Sequence, residues 1–95
     1  MHYLWIGSPD LAIQRVERRV RTGGHPVPPE VVRRRYGAGL RNFFELYQPI
    51  SDNWRVLDSR DGAEARPAAE GAGSRVTTVY DDHVWNQMLS WRRQP

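Results

Sequence analysis

Tyr3-Leu4-Trp5-Ile6-Gly7-Ser8-Pro9-Asp10 decides the fold class. Its four apolar residues run without a break to a glycine, the pattern of a strand buried on both faces as in a parallel sheet. Ser8-Pro9-Asp10 then opens a helix: serine stands at the N-cap, proline takes the first helical position, and an acid sits in the first turn. A strand that passes directly into a helix is the first half of a βα unit, so the chain reads as α/β. A buried parallel strand needs neighbours on both sides. One that begins almost at Met1 therefore predicts an unsatisfied sheet edge and a domain whose opening part is missing from this chain.

Further along the first helix, Ala12, Val16 and Val20 recur every four residues beside Ile13, while Arg15, Arg18, Arg19 and Arg21 share the remaining surface with Glu17. Gly23-Gly24 stops it. Residues 22–29, rich in glycine and proline, form a rigid connector, and Pro28-Pro29-Glu30 reads as the first turn of a second helix. That helix is expected to run from Pro29 to Tyr47 on a stripe of Val32, Tyr36, Leu40, Phe43 or Phe44, and Tyr47. Gly37 and Gly39 lie inside it at a cost of about 1 kcal/mol each against alanine, the mark of close packing or a bend. Gln48-Pro49 ends or kinks it.

Trp54-Arg55-Val56-Leu57-Asp58 reads as a second strand and Val76-Thr77-Thr78-Val79-Tyr80 as a third. Between them, residues 60–75 show no periodicity and no large apolar side chain from Gly62 to Ser74, which predicts a flexible loop. Asp81-Asp82 caps a final helix with Val84, Trp85, Met88 and Leu89 on its apolar face and Arg92-Arg93 at the favourable end of its dipole. The expected order is β-α-α-β-β-α in one domain, residues 1–95, with a small parallel sheet.

Composition narrows the chemistry. The chain has 95 residues, and all fourteen of its Lys+Arg positions are arginine. No Schiff-base lysine or phosphate-loop lysine is present. No cysteine is present either, which excludes disulfides, thiol nucleophiles and cysteine-bound zinc. His2, His25 and His83 lack ligand-like spacing, so no metal site is expected. The serines lack a nucleophile elbow. Net charge +3 and a pI near 9.9 favour anionic partners, although a GC-rich coding sequence also produces arginine in place of lysine. No run approaches the ~18 apolar residues of a membrane span, which points to a cytoplasmic protein with no membrane contact.

Two arginine clusters, Arg15/Arg18/Arg19/Arg21 and Arg33/Arg34/Arg35, flank Gly23-Gly24-His25. Guanidinium forks bind phosphate oxygens bidentately and stay charged, so two helices that bring arginines to one spot form a phosphate clamp. A solvated helix surface is the alternative, and for most of the seven it is the weightier one. His25 either donates to a phosphate or caps the preceding helix. Asp58, at the end of a predicted parallel strand, either contacts a ligand there or is a turn aspartate. The aromatics fall on the core stripe and not beside the arginines, which disfavours nucleic acid.

Taken in order, Ser8-Pro9-Asp10-Leu11-Ala12, Arg15-Val16, Arg19-Val20, Gly23-Gly24-His25, Val27-Pro28, Arg33-Arg34-Arg35-Tyr36, Leu40-Arg41-Asn42-Phe43-Phe44, Tyr47, Pro49, Trp54, Asp58-Ser59 and Thr78-Val79-Tyr80-Asp81-Asp82 with Trp85 resemble the C-terminal half of the zeta-toxin-like family of phosphate-loop kinases. The resemblance implies a partial P-loop kinase fold with a helical lid region, residues 22–29 being the lid connector. It implies an ATP-dependent phosphotransferase whose lid residues Arg15, Arg19, His25, Arg34 and Arg35 neutralise nucleotide phosphates. ATP and Mg²⁺ are the cofactors of the complete family. In toxin members the phosphate acceptor is a UDP-activated amino sugar, and an antitoxin restrains the enzyme. The phosphate loop, its lysine and the catalytic acid have no counterpart in these residues, so this chain is expected to be inactive alone and to bind ATP and Mg²⁺ only weakly. Its expected partners are a separate N-terminal half, an antitoxin, or a second copy at the open sheet edge. The alternative is an arginine-rich binding or regulatory module for a phosphate-bearing partner or nucleic acid.

Overall fold

A computed structural model describes residues 1–60 and 64–92. The chain is mixed α/β: β1 (His2–Trp5), α1 (Pro9–Arg21), α2 (Pro29–Asn42), a π-helical turn (Phe43–Tyr47) running into the short α3 (Gln48–Ile50), then β2 (Trp54–Asp58), β3 (Arg66–Ala72), β4 (Arg75–Val79) and α4 (Asp82–Arg92). The four strands form one sheet in chain order, with β1 parallel to β2 and the remaining pairs antiparallel. Among the described residues no helix is long and apolar enough to cross a membrane.

The sheet is therefore mixed and not a small parallel sheet, because residues expected to be loop supply an additional strand. Residues 66–72 carry little apolar volume, and that is what their position demands. Ala68 and Ala69 are fully buried. A Cβ on Gly71 would stand 2.2 Å from the Arg75 carbonyl oxygen and 2.5 Å from the Trp54 ring. Small residues let the indole lie directly on the strand. Pro67 has no N–H to donate, and it pairs with Leu57 beside a register shift between Val56 and Leu57, where a strand tolerates proline. Of the expected loop, residues 61–63 lie outside the described residues, as does Arg93.

One face of the sheet carries the core. Phe43 is its centre, edge-on to Tyr3 (centroids 5.0 Å apart) and to Trp54 (5.5 Å), while Trp54 stacks on Trp85 of α4 at 5.8 Å. β1 is not buried on both faces: Trp5 is buried but Leu4 is 55% exposed. As expected, an edge is left open; β1 is joined to β2 alone among the described strands.

The second helix departs from its stripe at the π-turn. The Gln48 N–H donates to the Phe43 carbonyl, five residues back, and the extra residue rotates the following side chains. Tyr47, expected in the core, is half exposed, and Gln48 is buried instead. Pro49, which lacks an N–H, follows directly and the helix ends at Ile50.

Candidate functional site

Local signals set the two arms of the site. The Ser8 hydroxyl accepts the Leu11 N–H at 3.1 Å, starting α1 where a capping serine would. At its other end Gly23 has φ +106°, the Gly23 N–H donates to the Val20 carbonyl (3.1 Å), and the Gly24 N–H donates to the Arg19 carbonyl (2.8 Å). This paired arrangement closes a helix on a left-handed glycine. It turns the chain so that Gly24 and His25 lie over the last turns of α1. The proline-rich connector then delivers the start of α2, where Val31 and Val32 donate to the Pro28 carbonyl.

α1, the connector, α2 and β1 line an open cavity of about 470 Å³. Arg15, Arg19, His25 and Arg35 all line it, so four of the five expected phosphate-binding residues meet at one place. Helical geometry accounts for this: Arg15 and Arg19 are four apart on one face of α1, and Arg35 is three residues from the cavity-lining Val32. Arg34 is the exception. Two residues from Val32, it falls on the opposite face of α2, is exposed, and does not line the cavity.

Arg15 is anchored. Its guanidinium donates to the Ser59 carbonyl just beyond β2. Ser59 is in turn fixed to Trp5, whose carbonyl accepts both the Ser59 N–H (2.9 Å) and its hydroxyl (3.0 Å). Among the described residues the ion pairs are Arg33–Asp10, Arg55–Glu70 and Arg60–Asp58, and none of them takes Arg15, Arg19 or Arg35. Among the described residues no carboxylate lines the cavity, so three guanidinium groups face it with no compensating anion from those residues.

Asp58 does not contribute to this space. It accepts the Arg60 backbone N–H at 3.0 Å and pairs with the Arg60 guanidinium at 2.8 Å, while that guanidinium lies 5.1 Å over the Trp5 ring. These are the contacts of a turn aspartate. Similarly, the Asp81 carboxylate accepts the Val84 N–H at 3.1 Å and caps α4.

The remaining walls are apolar, and Tyr3, Tyr36 and Gly39 form one of them. Burial pushes the phenols of Tyr3 and Tyr36 above their ordinary pKa, and for Tyr3 the proximity of Tyr36 adds to it. The Trp5 indole lies close enough to the Tyr36 hydroxyl to favour its ionised form, yet no hydrogen bond of normal geometry forms and both polar atoms are left without a partner. Sequence reasoning placed Tyr36 in the core and missed its second role as cavity wall. It also missed Ser59, which acts through a backbone carbonyl and leaves no signal in residue type.

Arginine-lined walls suit phosphate oxygens and repel cations, so this donor set does not fit Mg²⁺. Among the described residues no group of three or more His, Cys, Asp or Glu could hold a metal ion. Compared with protein-family models, with curated proteins and with solved structures, the chain has no match.

Proposed function

We propose that the cavity binds the phosphate groups of a nucleotide, with Arg15, Arg19 and Arg35 as the charged clamp and His25 as a further donor. One observation carries this reading: three guanidinium groups, none paired with a carboxylate among the described residues, converge on one cavity whose described lining contains no acidic residue. Arg15, held by Ser59, is pre-oriented, and the other two reach the cavity from separate turns of two helices. Such an arrangement neutralises phosphate charge from several directions, the electrostatic part of phosphoryl transfer.

In this reading the helix–connector–helix unit is the lid half of a phosphotransferase of the zeta-toxin-like kind, with the sheet as a partial P-loop kinase fold. The resemblance of the Gly23-Gly24-His25 segment and its flanking arginines supports it, as does the open edge of β1. The chain's own residues bind and orient phosphate. The nucleophile-activating base and the phosphate loop would lie outside these residues, and any Mg²⁺ would arrive with the nucleotide.

Titration of the chain with ATP, followed by NMR, tests the reading. The expected dissociation constant is roughly millimolar, with shifts confined to the cavity, and Arg35→Ala should weaken it about tenfold. A micromolar constant would remove the half-site claim, and shifts spread evenly over the exposed arginines would remove the clamp itself.

A further inference from the structure

Helix α2 carries two interior glycines, and packing requires neither of them; only Gly39 lines the cavity. A Cβ on Gly37 would meet the Trp91 ring at 3.6 Å, an ordinary contact within the core that α4 completes. A Cβ on Gly39 would find nothing of another element nearer than 3.9 Å, where the Tyr3 hydroxyl stands, and Gly39 lines the cavity. Gly39 has no positive φ that would demand glycine. It weakens the helix, since glycine is the least favourable interior residue after proline. Its absent side chain makes room in the cavity and does not serve the fold.

That room is not needed by phosphate. The cavity of about 470 Å³ lies within the roughly 300–1,000 Å³ of small-molecule sites. Beyond its basic residues it is walled by Leu4, Ile6, Val16, Val27 and Val32, with Tyr3 and Tyr36 flanking Gly39. We propose that the Tyr3–Tyr36–Gly39 wall is a subsite for an uncharged aromatic ring of the ligand, and that Gly39 keeps it open. This rests on the phosphate reading of Arg15, Arg19 and Arg35. It goes further by making the ligand an amphipathic phosphoester, which sugar phosphate or inorganic phosphate would not replace.

The test uses the full chain and matched 5′-phosphates: AMP and UMP, which carry a base, against ribose 5-phosphate, which carries the same phosphate and no base. In NMR titrations at least one nucleotide should bind ten-fold or more tightly than ribose 5-phosphate. Gly39→Leu should abolish that preference while leaving ribose 5-phosphate binding unchanged, and Gly39→Met should do the same through a more flexible side chain. Gly39→Ala should melt above the parent chain. Equal binding of all three probes to the parent chain would overturn the subsite and leave the phosphate clamp intact. Binding of none would overturn both. A nucleotide preference that survives Gly39→Leu, or a Gly39→Ala chain that melts below the parent, would show that the glycine serves packing and overturn the proposal.

Discussion

The Arg15 guanidinium donates to the backbone carbonyl of Ser59, forty-four residues away in sequence. The bond joins the middle of α1 to the end of β2, next to the point where the Trp5 carbonyl receives both donors of Ser59. A residue read as ligand-binding is thus also part of the scaffold. Arg15→Ala should lower stability by about 1.5–3 kcal/mol, the range for losing a hydrogen bond from a charged donor. It should also weaken phosphate binding. Urea melts and pyrophosphate titration on the same variant would separate the two losses, and an unchanged melt would mean that the bond contributes nothing to the fold.

Arg34 and Arg35 are neighbours in sequence with different surroundings, since only Arg35 lines the cavity. Arg35→Ala should reduce affinity for pyrophosphate about tenfold, or about 1.4 kcal/mol, and Arg34→Ala by less than about threefold. Equal losses would indicate that the chain attracts anions through overall charge alone.

Gly71 is the position where β3 is most sensitive. Its absent side chain lets Trp54 lie on the strand, and a methyl group there would meet both the indole and the Arg75 carbonyl. Gly71→Ala should destabilise by about 1–3 kcal/mol, the usual cost of overpacking. Thermal melting measures this. A neutral outcome would mean that β3 and Trp54 separate at little cost.

The Tyr3 phenol is held above its ordinary pKa by burial. The sign follows from linkage: the unfolded chain ionises near pH 10 while the folded chain resists, so the unfolded state is favoured as pH rises beyond that point. Stability should be steady below about pH 9.5 and decline above it. Tyr3→Phe keeps the edge-on contact with Phe43 and should flatten that decline. An alkaline limb of the same steepness in the variant would place the titration elsewhere.

Much of the architecture was legible because its signals are local. Ser8 and Asp81 cap their helices, and Gly23-Gly24 ends α1. Trp54–Asp58 forms the expected strand. The resemblance names Arg15, Arg19 and Arg35 together with Arg34; helical spacing agrees with the first three sharing the cavity and places Arg34 on the opposite face of α2. β3 was not legible: Arg66–Ala72 has neither alternation nor bulk, and reads as loop until Trp54 and α4 are set against it. Tyr47 was misplaced for a related reason, since a stripe at constant period does not foresee a π-turn that adds one residue.

By itself the sequence determined where helices start and stop and which arginines share a face, because caps, glycine stops and helical periodicity act within a few residues. Only the tertiary structure decided that Arg66–Ala72 forms a strand, that Arg15 is held by Ser59, and that Gly39 opens onto a cavity. Each of these depends on atoms brought together from distant parts of the chain, where the available space and the nearest partner outweigh local preference.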